Sequence, residues 1–256
     1  MIGRMESMPE KRKSFWATLP GILTGVAAVI TAITGLYIAF SPDSKESVSP
    51  GSQPTSLPAP ATKAIEPTEW PLVADVSFTE IPSGWIVGNN ASPETPRFEI
   101  RVVGGKYRWD IEFQKNWDRW VESPYGSAIN LFLAADVRLA ESKSAIKVAL
   151  TFGHAGNKHY AFKIGSDKYF GLSRTEGDIQ PMILDWTPTQ VNLNEVNRMA
   201  VLVYNQEIKI YLNSKVIGEY RDPSFTGGKV GLSVEGEQGA SAVVDFDNFE
   251  FRRMTQ

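Results

Sequence analysis

The chain has 256 residues, of which 42% are hydrophobic and 21% are charged, and its formal net charge is −3. Positive and negative side chains are scattered along it without the basic stripe typical of nucleic-acid-binding proteins, so no nucleic-acid partner is expected. The chain contains no cysteine, which excludes a disulfide framework, a thiolate zinc site and a cysteine nucleophile.

The first 40 residues predict a membrane anchor. Residues 1–14 are polar and too short to fold, which indicates a cytoplasmic tail. Residues 15–40 carry no charged side chain, and this run exceeds the roughly 20 apolar residues that a spanning helix needs. A cleavable signal peptide fits less well, because its apolar region is shorter. Lys11, Arg12 and Lys13 precede the run, and positive flanks stay in the cytoplasm. We therefore expect a single-pass protein of the cytoplasmic membrane, with the N-terminus inside and the C-terminal domain outside.

Small residues in the predicted span suggest that it self-associates. They follow one another at spacings of four and three, which places them on one helical face: Gly21, Gly25, Ala28, Ala32 and Gly35. Small side chains on such a face let two helices approach closely. The hypothesis is a homodimer formed through this face. The alternative is that small residues are simply common in membrane helices.

A tether separates the anchor from a folded domain. Residues 41–69 are rich in serine and contain six prolines. Proline fixes φ and lacks a backbone donor, so this segment is expected to be extended. The remaining residues, 70–256, suffice for one domain. An exported domain without disulfides suits a bacterial envelope.

Residues 70–256 predict an all-β, antiparallel sandwich. In residues 106–113, Tyr107, Trp109 and Ile111 alternate with charged side chains, as expected for a half-buried strand. Similar alternation recurs at 129–139, 145–152, 159–164, 199–204, 207–212 and 229–234. Short turns rich in glycine and asparagine separate these segments, and only residues 192–197 suggest a helical turn. Strands without intervening amphipathic helices favour a sandwich over a parallel α/β sheet.

The C-terminal strands resemble those of a known fold family. The segment NRMAVLVYNQEIKIYLNSKVIGEYRDPSFTGGKVGLSVEG and the later VVDFDNFEFRR are similar to concanavalin A-like lectin/glucanase jelly rolls, in particular laminin G-like and 3-keto-disaccharide hydrolase-like domains. FTEIPSGW, GKYRW and LTFGHAGNKHYAFKI extend the resemblance over most of residues 72–254. Members of this family include lectins, polysaccharide hydrolases and adhesive modules, so the fold alone does not select a function.

The sequence predicts the backbone conformation at three residues of this region. Gly227 and Gly228 are predicted to adopt positive φ in the turn before residues 229–234. Ser214 stands where the family usually has a glycine after asparagine. Because type I′ turns favour glycine at that position, a different turn is predicted there.

No catalytic residue is assigned. The resemblance implies that an active glucanase would carry the string E-x-D-x-x-E on one strand, and the chain lacks it. The nearest acidic pairs are Asp110 with Glu112 and Asp245 with Asp247, which are interpreted as solvated strand edges. His154 and His159 flank one predicted turn, and two imidazoles without a carboxylate make a poor metal site. They are interpreted as polar residues beside that turn.

A calcium site is the one cofactor hypothesis, since sandwich domains often tie their first and last strands together with this ion. Asp75, Asp245 and Asp247 are the candidate ligands. The alternative is a hydrogen-bonded Asp-Asn pair that closes the last strand. No other cofactor is predicted.

Two tryptophans are the main candidates for ligand binding. Trp117 and Trp120 interrupt the preceding alternation and are predicted to lie in a loop ended by a Pro-Tyr turn, where their rings would stack on sugars. Arg119 lies between them as a polar partner. Tyr169 and Tyr211, on polar strand faces, are expected to line the same concave surface. The alternative is that both tryptophans pack as a satellite of the core.

The sequence thus favours a membrane-anchored, non-catalytic, lectin-like binding module whose ligand is a glycan or a partner protein. Two other functions stay open. A sugar-active glycoside hydrolase-like enzyme would need a clustered acidic pair in a cleft. A structural ectodomain subunit of a membrane complex would present a flat apolar patch.

Overall fold

The computed structural model describes residues 67–90 and 96–254, so the predicted tail, spanning helix and most of the tether lie outside the described residues. After a short 3-10 helix, Pro67–Glu69, the described chain consists of strands and their connections. The strands are β1 Leu72–Val76, β2 Gly88–Asn90, β3 Arg97–Val103, β4 Lys106–Glu112, β5 Trp117–Ala128, β6 Leu131–Lys143, β7 Ile146–Ala155, β8 Lys158–Gly165, β9 Tyr169–Glu176, β10 Met182–Pro188, β11 Asn197–Tyr204, β12 Glu207–Leu212, β13 Lys215–Arg221, β14 Gly228–Gly236 and β15 Ser241–Arg253. Within residues 67–90 and 96–254, no helix is long and apolar enough to cross a membrane.

The strands form two antiparallel sheets that face each other. The nine-stranded sheet has the order β13-β12-β11-β6-β15-β4-β3-β2, with β1 also paired to β15, and the six-stranded sheet has the order β10-β9-β8-β7-β14-β5. Their inner faces bury large side chains such as Tyr107, Trp109 and Phe162. The predicted all-β sandwich is confirmed for the part of the chain that the structure describes.

Period-two alternation located seven of the fifteen described strands: β4, β6, β7, β8, β11, β12 and β14. In β4, Tyr107, Trp109 and Ile111 are buried while the intervening residues face outward. Strand β12 occupies the predicted residues 207–212. Residues 192–197 form a turn in which the amide of Glu195 donates to the carbonyl of Asn192 at 3.1 Å, and no helix forms there.

The prediction of a loop around the two tryptophans is wrong, because residues 117–128 form strand β5. This strand is an edge of the six-stranded sheet and pairs with β14 alone. Its register shifts opposite residues 229–231, which leaves residues near Pro124 outside the regular ladder. Proline is tolerated at an edge strand or a bulge, where its missing donor is not needed. The predicted Pro-Tyr turn therefore does not form.

The hairpin between β12 and β13 also differs from its prediction. Asn213 and Ser214 connect the paired residues Leu212 and Lys215, and their φ angles are 50° and 65°. Positive φ at both central positions is the mark of a type I′ turn. Ser214 therefore adopts the positive φ that was expected only of a glycine at this position.

The paired glycines before β14 behave as predicted. Gly227 has φ of 84° and Gly228 has φ of 152°. A Cβ atom on Gly227 would also lie 2.6 Å from the carbonyl oxygen of Ala128 and 2.9 Å from the Cα of Ile129. Gly227 is therefore required both by its backbone conformation and by a close backbone approach.

Replacing Gly227 by alanine tests this double requirement, and Gly239 supplies a matched control. Gly239 has nearly the same φ, 82°, but a Cβ there meets nothing within 4 Å. We expect Gly239→Ala to cost about 1 to 2 kcal/mol through backbone strain alone. Gly227→Ala should cost about 2 kcal/mol more, because backbone atoms cannot move aside easily. Urea unfolding measures both, and equal losses would contradict the role of the close approach.

Candidate functional site

The outward face of the six-stranded sheet has a floor of small side chains. Alternate residues of its central strands point away from the core, and neighbouring strands place them side by side. The small residues of this floor are Ala149, Thr151, Ala161, Gly171, Ser173, Gly231 and Ser233. Longer side chains at the margins therefore have room to extend across the floor.

Three aromatic rings cross this floor as a continuous stack, the ring ladder of Trp120, His154 and His159. The ring centroids of Trp120 and His154 are 4.6 Å apart with an interplanar angle of 18°. Those of His154 and His159 are also 4.6 Å apart, at 8°. The three residues come from β5, β7 and β8, and β14 lies between the first two strands. The ladder thus forms a ridge across four strands.

A bulge in β7 directs His154 into the ladder. The pairing of β7 with β8 shifts between Phe152 and Ala155, and Gly153 has φ of 67°. Phe152 still faces the core, where it is fully buried. Gly228 packs directly on this bulge, since a Cβ atom there would lie 2.5 Å from the backbone nitrogen of His154. Bulges commonly re-aim a side chain in this way.

Both imidazoles of the ladder are held in the neutral form. Burial, together with smaller effects of His159 and Lys229, lowers the pKa of His154 to about 3. Burial also lowers the pKa of His159, against the opposing charge of Asp118. A charged ring would lose hydration in this position. At neutral pH the ladder is therefore an uncharged aromatic surface.

A cleft of about 560 Å³ lies on one side of the ring ladder, and we call it the Trp117 cleft. Trp117 and Trp120 are 42% and 39% exposed, and the ammonium group of Lys115 lies 4.4 Å from the Trp117 ring centroid. The cleft is lined by Asn116, Trp117, Asp118, Trp120, Ala145, Lys147, His159, Thr175, Gly177, Asp178, Gln180, Glu235, Gly236 and Glu237. It combines exposed aromatic rings with many hydrogen-bonding groups.

A second cleft of about 330 Å³ also borders the ladder, and we call it the Lys229 cleft. It shares four residues with the first: Trp120, His159, Thr175 and Gly177. The residues that line it alone are Glu122, His154, Gly156, Asn157 and Lys229. The two clefts therefore meet at the ring ladder.

Lysine side chains pair with two of the carboxylates on this face. Glu235 accepts from Lys147 at 2.6 Å and from Lys163 at 2.5 Å, and Glu122 accepts from Lys229 at 2.7 Å. Burial alone would raise the pKa of Glu235, but the two lysines lower it below its ordinary value. A general acid needs a raised pKa. Glu235 is therefore held as a carboxylate on this face.

The predicted ligand-binding residues are only partly brought together. Trp117 and Trp120 line one cleft, and Tyr169 lies on β9 of the same sheet, 40% exposed. Arg119 points to the other side of β5, where its guanidinium lies 4.3 Å from the Phe98 ring centroid. Tyr211 lies on β12 in the nine-stranded sheet. Arg119 and Tyr211 therefore do not share the surface of the tryptophans.

The candidate calcium ligands are engaged with other groups. Asp245 is bound by Arg108 at 2.6 Å and by Arg138 at 2.9 Å. Asp247 pairs with Lys106, and its carboxylate also accepts from the backbone amide of Asn248 at 2.8 Å. Asp75 lies opposite Glu250 where β1 pairs with β15. Across the described ranges, no group of three or more His, Cys, Asp or Glu side chains could hold a metal ion.

The remaining acidic pair is also engaged by cations. Asp110 and Glu112 lie on the outward face of the nine-stranded sheet, next to the arginines of β3. Arg101 contacts Asp110 at 2.5 Å, and Arg97 lies 3.8 Å from Glu112. Both side chains are solvated, as interpreted, but β4 lies between β15 and β3 and is not an edge of the sheet. The same interpretation is wrong for Asp245 and Asp247, which are buried on the interior strand β15.

Sequence reasoning missed the part that the two histidines play. They were interpreted as polar residues beside a turn, whereas in the structure they stack on each other and His154 also stacks on Trp120. One signal was present, because the two histidines flank a short turn and a hairpin would place them close together. The contact with Trp120 depends on the pairing of β5, β14 and β7, which no local pattern reveals.

No protein-family model matches the chain, and no curated protein matches its sequence. Several solved structures are similar to it. The carbohydrate-binding module CBM66 from Bacillus subtilis is 16% identical with a TM-score of 0.51, and the match covers 66% of this chain and 95% of that one. A Bacillus licheniformis β-glucanase is 9% identical with a TM-score of 0.52, covering 71% and 98%.

A third similar structure is SCLam, a non-specific endo-β-1,3(4)-glucanase of family GH16. It is 9% identical with a TM-score of 0.54, and the match covers 73% of this chain and 93% of that one. At sequence identities this low, the structural similarity shows a common fold alone. The described part of the chain is thus a concanavalin A-like jelly-roll sandwich, as the sequence resemblance predicted.

The low pKa of His154 predicts how stability depends on pH. The unfolded chain binds a proton near the ordinary pKa of 6.5, whereas the folded chain resists protonation down to about 3. Stability from this residue is therefore present above pH 6.5 and is lost as the pH falls. We expect a loss of about 2 kcal/mol between pH 7 and pH 5.

His154→Phe isolates this contribution, because phenylalanine keeps a ring in the ladder and does not titrate. Denaturant unfolding at pH 7 and pH 5 should show that the variant loses about 2 kcal/mol less than the wild-type protein. The same pH dependence in both proteins would mean that His154 is not held neutral by the fold.

Proposed function

We propose that this protein is a non-catalytic carbohydrate-binding module that binds a glycan on the outward face of the six-stranded sheet. The supporting observation is the ring ladder, which borders two clefts rich in polar groups, one of them also lined by Trp117. The jelly-roll fold adds support, because the similar structures include a carbohydrate-binding module and glucanases.

The chemistry of the Trp117 cleft matches what a sugar offers. A sugar ring has an apolar C–H face that packs on aromatic rings, and Trp117 and Trp120 are partly exposed. Its hydroxyl groups need donors and acceptors, which Thr175 and Gln180 supply beside them. The Gln180 amide already donates to the Thr175 hydroxyl at 3.1 Å. Apolar platforms with a few oriented polar groups are typical of small-molecule sites.

The charge of the Trp117 cleft indicates the class of sugar. Asp118, Asp178, Glu235 and Glu237 line it, and Lys147 is the cation among its lining residues. Glu235 is neutralised by its lysine partners, which leaves an acidic margin. Like charges at a binding surface repel. We therefore expect neutral or amine-bearing sugars to bind and uronic acids to be excluded.

The pairing of Glu122 and Glu235 with lysines supports binding without turnover. A retaining glycosidase needs two carboxyl groups roughly 5 to 5.5 Å apart, one of them with a raised pKa. On this face Glu122 and Glu235 instead hold ammonium groups. A structural subunit would present a flat apolar patch. The exposed rings of this face stand among charged and polar groups, which favours a glycan over a broad protein interface.

The anchor places this module at the cell surface. We propose that residues 15–40 span the cytoplasmic membrane, that residues 41–69 hold the domain away from the bilayer, and that the domain lies outside. The support is the uncharged run, its basic N-terminal flank and the proline-rich tether. A homodimer through Gly25 and its neighbouring small residues is part of the same proposal.

Alanine substitution of the two tryptophans tests the binding proposal. On a glycan array that includes neutral, amine-bearing and acidic oligosaccharides, the protein should bind a defined set without acidic members. Trp117→Ala and Trp120→Ala should each weaken the affinity for these glycans at least tenfold, because buried aromatic contacts dominate binding energy. Titration calorimetry measures the loss.

Tyr211→Ala is the matched control, since this aromatic residue lies on the other sheet. It should leave the affinity unchanged. If protein with an intact thermal unfolding transition binds no glycan on the array, the proposed function is rejected. Release of shorter products from a bound glycan would reject the non-catalytic part of it.

Cell fractionation tests the anchor. Full-length protein should sediment with membranes and require detergent for extraction, whereas a chain lacking residues 1–40 should remain in the supernatant. A protease added to cells with a permeable outer layer should digest the domain and spare an N-terminal tag. Recovery of the full-length chain without detergent would contradict the anchor.

A further inference from the structure

The two clefts of the outward face are joined at the ring ladder. Trp120, His159, Thr175 and Gly177 line both of them. Each cleft also has residues of its own, such as Trp117 in the first and Asn157 in the second. A ligand that fills one cleft therefore ends beside the other, with only the ladder between them.

Trp120 is placed to contact a ligand on both sides. One face of its ring is covered by His154, whose centroid lies 4.6 Å away, yet the residue is 39% exposed. Its uncovered surface lines the Trp117 cleft and the Lys229 cleft alike. The neutral imidazoles beneath it continue the same aromatic ridge towards β8.

We propose that the two clefts are adjoining subsites for one glycan chain, which crosses the ring ladder at Trp120 with at least one sugar in each cleft. This inference rests on the proposed function and names its ligand class: a chain of linked sugars rather than a single sugar or a chain end. The Trp117 cleft receives a neutral or amine-bearing unit, because its margin is acidic.

The two clefts differ in charge, so the glycan chain is expected to bind in one orientation along them. The Lys229 cleft is lined by one carboxylate and one ammonium group, Glu122 and Lys229, and these are paired with each other at 2.7 Å. Asn157 adds a neutral amide. The sugar in this cleft therefore meets a nearly neutral environment, whereas its neighbour in the Trp117 cleft meets an acidic one.

Linkage between the sugars raises the affinity more than either contact alone. Once one unit is bound, the next unit occupies the second cleft as an intramolecular event at high effective concentration. Affinity should therefore rise steeply when the chain becomes long enough to reach both clefts. Further units would lie beyond the clefts and should add little.

The experiment uses the full-length protein in detergent and oligosaccharides of one to six units. The series comprises β-glucans, N-acetylglucosamine chains, their deacetylated forms and galacturonic acid chains. For whichever series binds, we expect no measurable binding of the single sugar. Affinity should increase at least tenfold once both clefts are reached, with a plateau at greater length.

Two variants assign the clefts. Trp117→Ala should weaken binding of short and long members alike, whereas Asn157→Ala should weaken the long members several-fold and leave the shortest bound member unchanged. Asn157 is exposed, so its side chain can be truncated without opening the core. Tyr211→Ala on the other sheet again serves as the control.

The outcomes separate this inference from the function on which it rests. A single sugar that binds as tightly as the chain, or an Asn157→Ala effect that is absent at every length, would overturn the two-cleft site and leave glycan binding intact. If no oligosaccharide of any series binds to protein that shows a normal thermal unfolding transition, the proposed function itself is rejected.

Discussion

Stacking of Trp120 on His154, and of His154 on His159, is the interaction on which the site depends. The rings lie 4.6 Å apart across a sheet whose outward face carries small residues beneath them. This arrangement requires that β5, β14 and β7 keep their register and that the β7 bulge turns His154 outward. Gly228 makes that bulge possible by leaving room for its backbone. Strand order, a bulge and one glycine together place a ridge between two clefts.

Charge pairing is the second feature of the same face. Lys147 and Lys163 hold Glu235 as a carboxylate, and Glu122 accepts a hydrogen bond from Lys229. A carboxylate stabilised by two ammonium groups accepts hydrogen bonds from sugar hydroxyls, but it holds no proton to give to a leaving group.

Local patterns predicted what depends on local structure. Alternation in β4 and β12 and the positive φ of Gly227 were correct, because burial on one face and a tight turn act over a few neighbouring residues. Strand β5 was missed because an edge strand with a register shift and a proline lacks regular alternation. The ladder was missed because its rings come from three strands. Tyr211 was grouped with the tryptophans because alternation gives the side of a strand and not the sheet to which it belongs.

The central claim is that a glycan binds at the ring ladder on the outward face of the six-stranded sheet. The most direct measurement follows the tryptophan indole N–H signals by NMR while an array-selected oligosaccharide is added. The account predicts that the signals of Trp117 and Trp120 shift with saturation, while that of Trp109, buried between the sheets, stays in place. Saturable binding that leaves both Trp117 and Trp120 unmoved would contradict it.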